Sequence, residues 1–272
     1  MARSASERSA PIVVKLGGSL LTRKHEVEKL RPKVLRRVAK EIAEVRAVPV
    51  VLLHGAGSFG HPGAARFGLA RAPDGARSAK ERLRGAAIVS AEVRRLHLSV
   101  VRELVASGAS PWSVPLSTVA RNRAGRLEQL EVRPFRWALD HELLPVAFGD
   151  VVPDEAWGVS ILSADTAAAE LARQLRSSRV IFVTDVPGIL QGPPGGRRSV
   201  VPEVDDEVVA GLRPRGGATD VTGGIRAKVE TMLELARAGV DAALISGLTD
   251  GAVSRAIRGE RVYGSWAHAR AR

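Results

Sequence analysis

The chain has 272 residues, a formal net charge of +12 and no cysteine. That length buries a substantial core, as one large α/β domain or as two lobes sharing a sheet, and the missing cysteines exclude disulfides and thiolate metal sites, which fits a cytoplasmic protein. No apolar run approaches the roughly 20 residues that span a bilayer, and scattered arginines with only 4% aromatic residues argue for a solvated basic surface that steers anions, not for a nucleic-acid interface.

Residues 1–11 lack an apolar stretch and read as a loose tail, not a signal peptide. Ile12–Leu16 is a short β-branched strand pattern that runs into Gly17-Gly18-Ser19. Pro32–Val45 reads as a helix with proline in its first turn. A second buried strand, Val48–Leu53, runs into His54-Gly55-Ala56-Gly57-Ser58-Phe59-Gly60-His61, and Ala72-Pro73-Asp74-Gly75 is a turn. The long helix Ala79–Ala106 ends at Gly108, a residue suited to a C-terminal cap. Strands are expected at Ser113–Leu116 and Leu144–Phe148; Gly149-Asp150 closes the latter, an irregular segment follows, and a division falls near residue 150. Ser163 is a natural N-cap for the helix Ala164–Leu175. After a strand over Val180–Thr184, residues 192–198 form a turn-rich excursion, a hairpin or mobile loop. Thr222 caps a helix over Gly224–Ala238 that Gly239 ends, and a strand at Ala242–Ile245 and a helix at Ala252–Ile257 complete the pattern. Alternating strands and amphipathic helices predict a mostly parallel sheet covered by helices.

Two glycine-rich turns at strand ends carry the chemistry. Gly17 and Gly18 let backbone approach a phosphate, and Lys15 supplies a point charge for a transferring phosphoryl group; Lys24 is near enough in sequence to fold back over the same site. Gly55, Gly57 and Gly60 bare a run of amides, and His61 is placed to donate to a phosphate oxygen, whereas His54 at the strand end reads as structural. The loop is neither a Walker A sequence nor a dinucleotide fingerprint. Asp165 complements a helix dipole. Thr184-Asp185-Val186-Pro187-Gly188 either turns the chain or lines a nucleotide pocket. Asp220-Val221-Thr222-Gly223-Gly224 opens a helix with Lys228 one turn inside, a ready polyphosphate site. There is no hydrolase triad, no metal-ligand spacing and no strong general base. That set suits an acceptor that is itself a phosphate monoester: with a second pKa near 6 it is already a nucleophile at neutral pH. The protein then needs only to align two anions and stabilise the charge between them.

Taken in order, these segments resemble the amino acid kinase superfamily and, within it, the isopentenyl phosphate kinases. The likeness rests on Lys15 to Thr22 with Lys24, on the His54–Pro62 loop, on Thr184 to Ile189, and on Asp220 to Gly224 with Lys228; it spans roughly residues 12–263. It implies a three-layer αβα sandwich with an acceptor lobe over 12–150, an ATP lobe over 151–272, and a homodimer. It further implies ATP-dependent phosphorylation of isopentenyl phosphate to the diphosphate, with Mg²⁺ carried by the nucleotide. On this mapping His61 binds the acceptor phosphate with Gly55, Ala56, Gly57, Gly60 and Gly149. Lys15, Lys24 and Lys228 bind ATP phosphates beside Gly17, Gly18, Thr184, Asp185, Gly188 and Gly223, and Asp165 orients the lysines. Ala86, Val89 and Val93 wall the isoprenoid tail; with Ala87 they are small, which suggests room for longer chains. Ala56 and Ala164 stand where many relatives carry glycine. Two alternatives stay open: a fosfomycin kinase, and a non-catalytic nucleotide- or oxyanion-binding protein of the same fold.

Overall fold

The computed structural model describes residues 9–23, 26–75, 77–192, 198–211 and 224–269. In chain order they form β1 (Ile12–Leu16), α1 (Gly18–Leu21), α2 (Pro32–Glu44), β2 (Val50–His54), α3 (Gly57–Arg66), α4 (Ala79–Ala106) and β3 (Pro111–Ser113). Next come α5 (Leu116–Val119), β4 (Ala120–Arg123), β5 (Arg126–Leu130), α6 (Arg133–Asp140), β6 (Leu144–Phe148), β7 (Asp150–Asp154) and β8 (Gly158–Leu162). The chain continues through α7 (Ala164–Leu175), β9 (Arg179–Thr184), the short pair β10 (Leu190–Gln191) and β11 (Ser199–Val200), and α8 (Asp206–Gly211). It closes with α9 (Gly224–Arg237), β12 (Asp241–Ser246), α10 (Ala252–Arg258) and β13 (Gly264–Ala267).

Seven strands pair in the order β13-β12-β9-β1-β2-β6-β3. Every neighbour is parallel except β13, which runs antiparallel along β12. Side chains alternate across a strand, and here the alternation assigns two cores. Val13, Val51, Leu53, Val180 and Phe182 meet α7 and α9 on one face, while Val14, Leu16, Leu52, Ile181 and Val183 meet α2, α4 and α10 on the other. The result is the αβα sandwich expected from the sequence, with one sheet that takes strands from both sides of residue 150.

Local signals act as read. Ser163 accepts the Thr166 N–H at the start of α7, and Gly108 and Gly239 follow α4 and α9 at φ +87° and +81°. Antiparallel β10 and β11 pair on either side of the excursion, whose residues 193–197 lie outside the described residues. Thr222 lies outside the described residues.

Two expectations fail. The strand over Ser113–Leu116 is split: β3 ends at Ser113, and Pro115 starts the helical turn α5. The irregular segment after residue 150 is instead half of a second sheet, ordered β5-β4-β7-β8. Its strand β4 reads Ala-Arg-Asn-Arg and buries only alternate residues, so polarity hides it. Asp154 ties this sheet together, accepting N–H bonds from Ala124, Gly125, Ala156 and Trp157 and the Ser160 hydroxyl.

Candidate active site

Strands β1, β2 and β6 end side by side, and the chain leaves each at a glycine. Gly17 N–H donates to Val183, Gly55 N–H to Leu16 and Gly149 N–H to His54, at 2.7, 2.9 and 3.0 Å. Beyond the carboxyl ends of a parallel sheet lies the crevice where such folds take ligands. The first two turns pack backbone against backbone. A Cβ at Gly18 would stand 2.4 Å from the Gly57 nitrogen, and one at Gly55 would stand 2.8 Å from the Gly18 nitrogen. Gly57 also sits at φ +52°, a conformation that disfavours other residues. Here the glycines are demanded by close approach of two chain segments.

The second turn is shorter than the sequence suggests. Only Gly55 and Ala56 remain loop, because α3 begins at Gly57 and continues through His61 and Pro62. Thr22 Oγ1 accepts the Ser58 N–H at 2.9 Å, which satisfies one orphan donor of the first turn of α3. His61 lies one turn further along.

These elements wall a cleft of about 560 Å³ of non-atom space, partly open to solvent. Its lining combines Lys15, His61, Asp150, Ser163 and Asp165 with the small residues Gly18, Gly55, Ala56, Gly60 and Gly149 and the apolar Ala64, Val89, Val93, Ile161, Leu162 and Ala164. Asp165, in the first turn of α7, pairs with two lysines. Lys15 Nζ stands 2.7 Å from Oδ1 and Lys228 Nζ stands 2.6 Å from Oδ2. Burial alone would push the Asp165 carboxyl up, but the Lys15 and Lys228 charges outweigh it and hold Asp165 far below the usual carboxylate range. Burial lowers the Lys15 ammonium against the attraction of Asp165, and the Lys228 charge adds to the lowering. The triad is therefore compact, partly desolvated and carries one net positive charge.

Of the residues singled out in the sequence, Lys15, Gly18, Gly55, Ala56, Gly60, His61, Val89, Val93, Gly149 and Asp165 line this cleft. Lys228 joins through Asp165. Gly17 and Gly57 lie in the packed turns. Ala86 lies on the same face of α4 as Val89 and Val93 and shares a small core with them, Leu69 and Phe148, although it does not itself line the cleft; Ala87 is on the exposed face of α4. Thr184 and Asp185 sit at the end of β9, where the Ser19 hydroxyl donates to Asp185 at 2.6 Å. Gly188 packs against Val200 and Ser265. Lys24 and Gly223 lie outside the described residues.

Six lining residues are not among the site residues expected from the sequence: Ala64, Asp150, Ile161, Leu162, Ser163 and Ala164. Asp150 is buried and faces Arg94, both of whose terminal nitrogens stand 3.3 Å from its oxygens; burial raises its carboxyl despite that charge. The only available signal was its place directly after Gly149 at a strand end.

Comparison with known proteins agrees with this architecture. The amino acid kinase family model matches residues 10–246. The isopentenyl phosphate kinase of Methanothermobacter thermautotrophicus is 33% identical over 264 residues, covering 93% of this chain and 97% of its own. That of Haloferax volcanii is 34% identical over 227 residues, covering 82% and 88%. A solved isopentenyl phosphate kinase superposes with a TM-score of 0.83 at 30% identity, over 94% of this chain and 99% of the other. The Thermoplasma acidophilum isopentenyl phosphate kinase product complex gives a TM-score of 0.75 at 26% identity over 94% and 99%. With the sheet order, the paired glycine turns and near full-length relatives in accord, this chain belongs to the amino acid kinase family, on its isopentenyl phosphate kinase branch.

Proposed function

We propose that this chain transfers the terminal phosphoryl group of ATP to isopentenyl phosphate, giving isopentenyl diphosphate. One observation carries the reading beyond family membership: a single cleft is lined both by polar side chains, Lys15 and His61 among them, and by apolar ones, Ala64, Val89, Val93 and Ile161. A phosphate fits the first and a short hydrocarbon tail the second. The apolar wall favours this acceptor over a small polar phosphonate such as fosfomycin.

The chemistry asks little of the protein. The acceptor phosphate is largely dianionic near neutral pH, so no base is required, and the barrier is one of alignment and charge. In this reading His61 and the amides of Gly55, Ala56 and Gly60 hold the acceptor phosphate. Lys15 and Lys228, held ready by Asp165, turn to the transferring phosphoryl group as negative charge spreads over its oxygens. Gly17 and Lys24 of the N-terminal lobe, with Thr184, Asp185, Gly188 and Gly223 of the C-terminal lobe, would serve the nucleotide. Mg²⁺ fits best as an ion brought by ATP: both Asp165 oxygens already face lysines, and the described residues contain no cluster of three metal-ligating side chains. When bound, it would neutralise charge between donor phosphates. A cytoplasmic homodimer with lobes meeting near residue 150 completes the proposal, and light scattering in solution tests its assembly.

The deciding experiment is turnover with ATP across isopentenyl, dimethylallyl and geranyl phosphates and fosfomycin. Isopentenyl phosphate should lead; preference for fosfomycin would overturn the reading. Because Ala87 is on the exposed face of α4, room for longer tails rests on Ala64, Ala86, Val89 and Val93, and a steep fall from isopentenyl to geranyl phosphate would refute it. His61→Ala should lower kcat/KM for isopentenyl phosphate by about 2–4 kcal/mol of transition-state stabilisation while the KM for ATP holds. Retained efficiency would remove His61 from the site.

A further inference from the structure

Beneath the Gly55 turn runs a chain of polar groups that the proposed chemistry does not touch. His54, at the end of β2, is fully buried and His97 of α4 nearly so. His54 Nδ1 stands 3.1 Å from the Gly55 carbonyl, His54 Nε2 stands 3.1 Å from His97 Nδ1, and His97 Nε2 stands 2.8 Å from Ser113 Oγ on the exposed edge strand β3. Phe148 packs on both rings, its centroid 5.6 Å from that of His54 and 4.4 Å from that of His97.

The direction of every proton follows. A carbonyl only accepts, so His54 Nδ1 carries the hydrogen. Burial, with His97 beside it, pulls His54 down to about 3, and burial with the Arg94 charge pulls His97 down to about 4, so both rings are neutral at pH 7. His54 Nε2 then accepts, His97 Nδ1 donates, and His97 Nε2 accepts from the Ser113 hydroxyl. All three hydrogens point from the surface toward the cleft.

We propose that His54, His97 and Ser113 form a positioning chain that fixes the Gly55–Ala56 peptide so that its N–H faces the acceptor anion. The peptide is trans, so holding the carbonyl toward the His54 ring sends the Ala56 N–H the opposite way. Gly55 and Ala56 both line the cleft. The Gly55 N–H is already held by Leu16, which leaves the Ala56 N–H as the donor this peptide can offer. Three neutral groups thereby orient a dipole without adding charge near the triad. This inference rests on the acceptor reading of the Gly55 turn.

The test uses His97→Leu, His97→Asn and Ser113→Ala in the full chain. His97→Leu leaves His54 Nε2 without its donor; Asn returns a donor near the Nδ1 position. His97→Leu should raise the KM for isopentenyl phosphate about tenfold, the worth of one hydrogen bond to a charged group, with the KM for ATP within twofold. His97→Asn should recover most of that loss, and Ser113→Ala, on the exposed edge, should give a rise of about twofold. An equal rise in both KM values, or no rise in the acceptor KM, overturns the proposal. Nitrogen-15 spectra of the imidazoles and of the Ala56 amide test it without any substrate. Both rings should be Nδ1–H tautomers, and the Ala56 resonance should move in Ser113→Ala. An Nε2–H tautomer on either ring, or an unmoved Ala56 amide, overturns it. Failure of the unaltered protein to use isopentenyl phosphate, with these spectra as expected, would instead fault the acceptor reading alone.

Discussion

Two carboxylates, Asp165 beside the cleft and Asp154 in the small sheet, are held in their ionised form by opposite means. Around Asp154, burial pushes the carboxyl up, but hydrogen bonds from the Gly125 N–H, the Ser160 hydroxyl and the Trp157 and Ala156 N–H groups prevail and lower it. Around Asp165 the same burial is overcome by two ammonium groups, one from β1 and one from α9. Backbone donors belong to the fold and cannot be lent to a ligand. Lysine heads sit on flexible stems and can exchange a carboxylate oxygen for a phosphate oxygen. Equal direction of shift thus marks a structural knot in one place and a poised charge store in the other.

Asp165→Asn should break that contrast with the largest effect. Without the carboxylate, Lys15 and Lys228 lose the anchor that holds both 2.6–2.7 Å away, and kcat should fall about 10²- to 10³-fold, the scale for losing preorganised charge stabilisation. The apo variant should also melt lower, since two ammonium groups are left facing each other, and saturating ATP should raise its Tm by more than it raises that of the unaltered protein. Thermal scans with and without ATP, beside steady-state rates, decide it. Near-normal turnover would show that the lysines need no anchor.

Asp154→Asn sharpens the comparison from the other side. The amide turns its NH₂ toward N–H donors that now lack an acceptor, a loss of about 2–3 kcal/mol for a buried group bonded while charged. Urea titration should register that loss, whereas kcat at a temperature where the variant is folded should stay within about twofold. ATP should add the same stabilisation as it does to the unaltered protein. A catalytic defect as large as that of Asp165→Asn would mean that the two carboxylates do not differ in kind.

The same contrast explains what the sequence discloses. The central strands are legible because Val13-Val14 and Val50-Val51-Leu52-Leu53 are buried on both faces and so form unbroken apolar runs. Helix ends are legible where a cap is local, as at Ser163 and Gly108. The glycines of the two turns stand out in the sequence, yet much of the reason for them is the contact of Gly18 with Gly57, which no local pattern contains. The small sheet is hidden because its stabilising group, Asp154, gathers donors from residues 124 to 160. That Asp165 orients the lysines follows only from the resemblance and from no local pattern, since 63 positions separate Lys228 from Asp165. His97 reads in sequence as one more residue of an amphipathic helix, and only the fold sets it against His54.

The smallest expected effect is a slope in stability with pH, and it separates neutral groups from charged ones once more. His54 and His97 are depressed to about 3 and about 4 from an ordinary value near 6.5. Between those values the unfolded chain binds protons that the folded one refuses. Their contribution is complete above about pH 6.5 and is lost as pH falls through the folded values. The two anchored carboxylates act later, since theirs is complete above about pH 4 and is lost only below it. Asp150 works in the opposite sense because burial raises it, and it offsets at most one proton. Stability from urea titration should therefore begin to decline near pH 6, before Asp154 or Asp165 is protonated, at up to about 1.4 kcal/mol per pH unit for each histidine that titrates only on unfolding. His97→Leu should remove roughly half of that slope and leave the steeper loss below pH 4 in place. A flat profile between pH 6.5 and 5 in the unaltered protein would mean that the imidazoles are accessible to protons in the folded state, and the distinction between neutral and charged anchoring would then end at the two carboxylates.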